Sequence, residues 1–441
     1  MTTTFIHERP DEILQNLIRF NTTNPPGHER ACVEYIQSLL TEYDIDSCIY
    51  ALDENRPNLV ARIKGDGQAS PLMLYGHVDV VTTENQQWSY PPFSGEVIDG
   101  YIWGRGALDM KSGVAMMIAA FLRAKFENTP LQQDVLLVIL SDEENGGNYG
   151  AKFLVEQHPY LFEGVQYALG EFGGFSMELE GHRFYPIMVA EKQMSWVKIT
   201  VQGQGGHGSM PVRDSAMKKL SVLLHKLSQP MPVHITPVVE EMIKAIANEL
   251  TFPKSVIVKQ LLQPKLANKV IGLLGPKGSL FESLLHHTVS PTIVNASDKV
   301  NVIPSEITIE VDGRILPGFS EAEFREELVA LIGDHTIDVN IVRSDIVQTD
   351  VDMTHFSLLK DVIMECDNQA IPIPFVLPGV TDGRFFSSLG IQTYGFTPMN
   401  LPSDFNFIQS VHAADERIPV ECVHFGTNAM FKAIQLFNHV E

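Results

Sequence analysis

The first 190 residues alternate between two periodicities. Asp11–Phe20 and Glu29–Tyr43 repeat apolar positions every three to four residues, which predicts two amphipathic helices separated by the breaker Asn21-Thr-Thr-Asn-Pro-Pro-Gly27. Short apolar runs follow at Asn58–Ile63, Leu72–Tyr75, Val135–Leu140 and Tyr167–Leu169. Each is bounded by polar turns, the pattern of strands buried on both faces. Ser112–Phe126, rich in Ala and Met, predicts a helix between two of them. This alternation predicts an α/β domain with a mixed, largely parallel sheet flanked by helices.

From about Glu191 the texture changes. Trp196–Val201, Glu306–Val311 and Thr336–Arg343 alternate as strands, and Ser215–Leu227 and Ser320–Ile332 read as helices. Such a βα…βαβ group predicts a small α+β domain inserted into the larger one. The expected division is 1–190 and 347–441 for the large domain and 191–346 for the insert. A mostly helical stretch at about 237–290 interrupts the insert, carrying six Lys against four Glu and broken by Pro253, Pro264 and Pro276. It reads as packing on the small domain, with a pocket wall or partner surface as the alternative. Its pair His286-His287 reads as a solvated helix end. The last hundred residues return to α/β texture and close with a helix at Val423–Phe437.

Composition narrows the function. Hydrophobic residues at 44% and charged residues at 20% are those of an ordinary globular protein. The 32 Lys+Arg against 54 Asp+Glu leave −22, a balance that repels phosphate backbones and anionic lipid, so neither nucleic acid nor membrane is expected as a partner. No run of about 18 uncharged apolar residues is present. Cys32, Cys48, Cys366 and Cys422 are far apart with no CxxC, and the first residues show no basic or apolar signal region, so a reducing cytoplasm is the expected location.

Five fragments can carry chemistry. Leu72–His77-Val-Asp79 is an apolar strand ending in a His-x-Asp pair, in which a carboxylate can fix an imidazole's tautomer. Gly104-Arg-Gly-Ala-Leu-Asp109 puts one acid among glycines before a helix, where it could equally be a cap. Val135–Leu140 runs into Ser141-Asp-Glu143-Glu144, three successive acids at the strand end where α/β sheets bind ligands. Tyr167-Ala-Leu-Gly-Glu171 is again a strand ending in a carboxylate, and His412 lies in a loop before the closing helix. Alone, each has a plain structural reading. Together they offer two imidazoles and three ligating carboxylates with one Glu to spare, a set suited to zinc or a similar divalent ion.

In this order the fragments resemble the co-catalytic zinc metallopeptidases of the aminoacylase, carboxypeptidase and succinyl-diaminopimelate desuccinylase group. The likeness runs from Asn21 to Pro419, and the long insertion with Phe252-Pro253 is most similar to the carboxypeptidase S branch. The resemblance implies a zinc-exopeptidase-like catalytic domain and a ferredoxin-like lid and dimerisation domain. It implies two divalent ions, zinc first, with cobalt or manganese as alternatives. His77, Asp109 and Glu171 would hold one ion; Asp109 would bridge to a second held by Glu144 and His412. Glu143 would be the general base, Asp79 would orient His77, and the peptide after Asp109 would be cis. His207, in Gly203-Gln-Gly-Gly-His207, would reach a partner subunit's site and stabilise the oxyanion. Asn301 and Arg314 would contact the substrate's carboxylate end, and the Gly379–Phe385 loop would form a wall beside it. One departure stands out: the family has Glu-Gly-Gly where this chain has Glu171-Phe172-Gly173-Gly174, which bears on the Glu171 ligand. The implied activity is exopeptidase cleavage of a small peptide, with N-acyl amino acid deacylation as the alternative and a non-catalytic binding homologue as the remote one. A homodimer through the lid is also implied.

Overall fold

Val135–Leu140 is buried at every position, and so is Leu72–His77, which lies parallel beside it. These strands are the centre of a nine-stranded sheet in the computed structural model, which describes residues 5–345 and 350–437. In spatial order the sheet runs Ser47–Tyr50, Asn58–Ile63, Val135–Leu140, Leu72–His77, Tyr167–Gly170, Gln392–Gly395, His182–Glu191 and Ala370–Leu377, with Met177–Leu179 paired to His182–Glu191. The three central pairings are parallel, and antiparallel strands flank them.

Continuous apolar strands need cover on both faces. On one face Met73, Tyr75, Leu136, Val138 and Leu140 pack against Phe153, Leu154, Phe162 and Phe386. The helix Lys111–Phe126 lies against Leu72–His77, and is itself covered by Pro10–Arg19 and Val420–Leu436, so it is apolar nearly all round. Its Lys111 is fully buried, and the ammonium donates to the carbonyls of Leu17 (2.9 Å) and Phe20 (2.8 Å) at the end of Pro10–Arg19. A cation suits the negative end of a helix. Burial still draws its pKa down to about 8.

The chain divides into two compact units. One holds the described residues up to Val189, with Asp352–Phe375 and those from Thr381 onward; the other holds the described residues of Ala190–Val351 together with Val376–Val380. The boundary expected at 346/347 lies outside the described residues. Val376–Val380 returns to the second unit, where the Lys192 N–H donates to Leu377 O (2.9 Å), a tie that a linear reading of the chain does not reveal.

The second unit contains an antiparallel sheet ordered Thr288–Asn295, Glu306–Ile315, Gln193–Gln202, Asp338–Ser344. The alternating residues Val197, Ile199, Val201, Ile307, Ile309 and Val311 share a core with the helices Ala216–Leu227 and Glu321–Ile332. Both helices begin on serines: Ser215 accepts from the Lys218 N–H, and Ser320 with Glu323 forms a reciprocal capping box. Thr288–Asn295 escapes the periodicity reading because it is an exposed edge interrupted at Pro291, so no apolar face marks it. The insertion folds as the helices Pro237–Glu249, Lys254–Lys259, Pro264–Leu274 and Ser279–Leu285. Among the described residues no helix is long and apolar enough to cross a membrane.

Candidate metal centre

The parallel register brings three strand ends to one level. His77 pairs with Leu140, and Leu74 with Leu169, so Glu143, Glu144 and Glu171 follow at the same edge of the sheet as His77. His77 Nε2 lies 3.2 Å from Asp109 Oδ1 and 3.2 Å from Glu171 Oε2. The other oxygen, Asp109 Oδ2, is 3.1 Å from His412 Nε2, which is 3.2 Å from Glu144 Oε1. Asp109 therefore presents one oxygen to each imidazole. Ligand atoms of His77, Asp109 and Glu144, and separately of His77, Glu143 and Glu171, all fall within 4.8 Å of one another. The Asp109-Met110 peptide is cis.

Asp79 lies behind this group. His77 Nδ1 is 3.0 Å from the Asp79 backbone carbonyl and 3.5 Å from its carboxylate, so the main chain is the nearer partner of the imidazole. The carboxylate instead accepts the N–H groups of Glu143 and Glu144, each at 3.1 Å, and the Asn24 amide at 2.8 Å. Asn24 also donates to Asp142 (3.0 Å), which with Glu29 flanks the buried Arg56 guanidinium at 2.9 Å. On the other side Glu416 accepts the N–H groups of Leu108 (2.7 Å) and Asp109 (3.2 Å) and pairs with Arg105 at 2.5 Å. Arg105 in turn donates to His412 O (3.1 Å). None of Asn24, Glu29, Arg56, Arg105, Asp142 and Glu416 was selected from sequence. Most sit inside or beside the quoted motifs, but only the fold shows whom they touch.

The departure at Phe172 has a conformational meaning. Its φ is +63°, left-handed backbone that glycine adopts freely and a phenylalanine does not. The ring packs near Phe175, Phe375 and Phe407, with centroids at 5.5, 6.3 and 6.1 Å, which offsets the strain. The next strand must also come close: a Cβ on Gly395 would stand 2.0 Å from Phe172 O and 2.6 Å from Glu171 O. Glu171 is thus held from both sides.

The electrostatics are those of a site built for cations. Burial alone would lower the His77 pKa, but Asp109, Asp79 and Glu171 hold it well above its ordinary value. Hydrogen bonds to Asp109 and Glu144 lift His412 to about 10. Burial, reinforced by Glu171, raises Glu143 well above the carboxylate range; burial and Asp109 take Glu144 to about 7. Asp382, which is buried, is pushed up to about 8, and both its oxygens lack a hydrogen-bond partner. Carboxylates crowded this closely and shielded from water are stable only with protons or metal ions among them. Two imidazoles and three carboxylates, one of them an aspartate facing both imidazoles, fit a pair of divalent ions.

The remaining candidates belong to the second unit. His207 is exposed on the short strand Gly206–His207, paired with Val302–Ile303, and Gly208 N–H donates to Asn301 O (2.8 Å), so His207 and Asn301 are neighbours. His207 Nδ1 lies 2.8 Å from Ser209 Oγ and 3.3 Å from the Ser209 backbone nitrogen. Arg314 directs Nε (3.1 Å) and Nη2 (3.2 Å) at Asp312, while its buried Nη1 has no hydrogen-bond partner. Gly379 has room for a side chain, with Leu377 Cγ 3.9 Å from its would-be Cβ. His286 and His287 are not a solvated helix end: both are buried. His286 Nδ1 is 2.8 Å from Glu282 O, and His287 Nδ1 accepts from Leu316 N–H (3.0 Å).

Residues 73–436 match the family described as Peptidase family M20/M25/M40. The chain is 29% identical over 382 residues to a protein named carboxypeptidase S-like 2 of Dictyostelium discoideum, covering 82% of this chain and 71% of that one. It is 27% identical over 395 residues to the N-fatty-acyl-amino acid synthase/hydrolase PM20D1 of Mus musculus, covering 84% of this chain and 75% of that one. The M20 family metallo-carboxypeptidase Sso-CP2 of Sulfolobus solfataricus has a similar fold, with a TM-score of 0.66 at 17% identity over 97% of this chain and 99% of that one.

Proposed function

The chain belongs to peptidase family M20/M25/M40, and on that premise we propose that it is an exopeptidase of carboxypeptidase or dipeptidase type acting on small peptides. It is a metallohydrolase of amide bonds, which this reading shares with a second, N-acyl amino acid deacylation. The similarity to a protein named for N-fatty-acyl-amino acid hydrolysis favours that second reading.

The observation that carries the mechanism is the shared aspartate, with Asp109 Oδ1 facing His77 and Oδ2 facing His412. His77, Asp109 and Glu171 would hold one divalent ion, and Asp109, Glu144 and His412 the other. Zinc is the assignment, and cobalt or manganese would suit the same donors. Such a pair, when bound, lowers the pKa of water and polarises a carbonyl. Glu143 would take the proton of the attacking water and pass it to the leaving amine. Burial and the neighbouring Glu171 raise its proton affinity, which suits both tasks. Asp79 would keep His77 oriented through its backbone carbonyl and hold the Glu143–Glu144 turn with its carboxylate.

The unit that holds these residues would be the catalytic domain, and Ala190–Val351 with its insertion the lid and dimerisation domain. His207 would offer its Nε2–H to the developing oxyanion of a partner subunit's substrate. Asn301 and Arg314, with the loop at Gly379, would meet the substrate's carboxylate end; the unpartnered Arg314 Nη1 supports this. The unpaired edge Thr288–Asn295, with Ile293 and Val294 exposed, supports a homodimer. Four free cysteines support a cytoplasmic location.

Metal analysis together with a screen of dipeptides against N-acyl amino acids, each with a chelator control, tests the reading. Chelator-sensitive dipeptide cleavage is expected. Cleavage of N-acyl amino acids alone would select the deacylase, and chelator-resistant turnover would overturn both.

A further inference from the structure

In a chain of net charge −22, residues 250–280 contain five lysines and no acidic residue. This segment forms the helices Lys254–Lys259 and Pro264–Leu274, joined by the turn Gln260–Leu262. Their inward positions are ordinary core: Val258, Leu261, Ala267, Val270 and Ile271 are buried. The outward positions are not ordinary surface. Leu266, Lys269 and Leu273 are spaced by three and four residues and share one helix face, with Leu273 80% exposed. Just before them Phe252 is 82% exposed, and Val256 and Ile257 are exposed as well. Lys254, Lys259, Lys265 and Lys269, all exposed, interleave with these apolar side chains.

Single exposed apolar residues need no explanation. Five within some twenty residues, set among lysines with no acid between them, do. Bulky apolar side chains among lysines are the pattern of an element lying in the boundary between lipid headgroups and acyl chains. We propose that this face docks on the surface of an anionic lipid bilayer. Phe252 and Leu273 would enter the headgroup boundary while the lysines meet lipid phosphates and carboxylates.

Charge complementarity selects the occupant. A second copy meeting this face through the same face would set lysines against lysines, and nothing acidic in the segment would relieve them. The whole-chain balance, which by itself argues against anionic lipid, hides this local reversal of sign. Because the remainder of the chain is acidic, the same field that attracts the segment repels the rest, so binding would have one orientation.

Sedimentation of the full chain with vesicles tests the proposal, using phosphatidylcholine alone and phosphatidylcholine mixed with phosphatidylserine, at about 50 mM and about 500 mM NaCl. Binding is expected only to the phosphatidylserine vesicles and only at low salt. Each lysine near an anionic surface is worth about fivefold in partition, so Lys265→Gln with Lys269→Gln should weaken it about 25-fold. Phe252→Ser with Leu273→Ser should also release the protein while leaving hydrolysis of a soluble substrate unchanged, which shows that the fold is intact. No binding by the unaltered chain, or equal binding by both variants, would overturn the proposal. So would conversion of a dimer to a monomer by the Phe252 and Leu273 changes, since the face would then be covered by a second copy.

Discussion

The carboxylate of Asp79 faces Glu143 rather than solvent: Oδ1 accepts the Glu143 N–H and Oδ2 the Glu144 N–H, each at 3.1 Å. One buried side chain therefore sets the turn that carries both glutamates. In Asp79→Asn the amide nitrogen must point at one of those N–H groups, donor against donor. Metal affinity and kcat should each fall about 10- to 100-fold, the usual effect of losing a group that supports metal ligands. Titration calorimetry with zinc and kcat at saturating metal measure the two separately; an unchanged kcat would remove Asp79 from the support of Glu143.

Glu143→Gln keeps size and burial but cannot carry the proton. Turnover should fall at least about 10²-fold with metal content intact. Full activity would sink the base assignment. The same variant tests His207: mixed with inactive His207→Ala, it should recover activity in hybrid dimers if the imidazole acts across subunits. No recovery after confirmed subunit exchange would argue against a role for His207 across subunits.

Arg105 and Glu416 form a buried pair that also holds the Leu108 and Asp109 N–H groups. Glu416→Gln preserves an acceptor for those N–H groups and strands the guanidinium without its counter-charge. Breaking a buried pair in this way costs about 3–5 kcal/mol. Urea unfolding of the metal-free protein should show that loss, and an effect below about 1 kcal/mol would mean that water or another group replaces the carboxylate.

Phe172 predicts an inverted ranking. At an ordinary position glycine is less stable than alanine, but at φ +63° alanine keeps the left-handed strain that glycine lacks. Phe172→Gly should therefore be the more stable of the two by about 1 kcal/mol, with both below the parent because the ring's contacts with Phe175, Phe375 and Phe407 are lost. Paired denaturation curves decide it.

His287 links the stability of the second unit to pH. Burial first, then the charges of His234 and Lys192, depress its pKa to about 3. An unfolded histidine takes up its proton near pH 6.5, so as pH falls below that value the unfolded state gains a proton the folded state refuses. Its contribution is whole above about pH 6.5 and is lost toward pH 3 at about 1.4 kcal/mol per unit. His287→Asn, which keeps an acceptor for Leu316 N–H, should flatten the decline between about pH 6.5 and 4.5 in urea titrations. An unchanged slope would assign the decline to other groups.

The sequence by itself determined the elements that place the centre. Val135–Leu140 reads as a strand because burial on both faces demands an unbroken apolar run, and His77, Glu143, Glu144 and Glu171 are legible because a strand end followed by carboxylates is local chemistry. Phe172 in place of the glycine usual after that glutamate is likewise a local fact, and it falls on a residue with left-handed backbone. Only the tertiary structure decided that Asp109 faces His412 across some three hundred residues of chain, that Glu416 rather than a nearer acid holds Asp109, and that Asp79 serves the glutamates more directly than it serves His77. Those contacts are set by strand order and loop path, which bring together residues whose separation in sequence carries no periodic signal. The edge Thr288–Asn295 and the buried His286-His287 were hidden for the same reason: whether a polar residue meets solvent or protein depends on what the rest of the chain places over it.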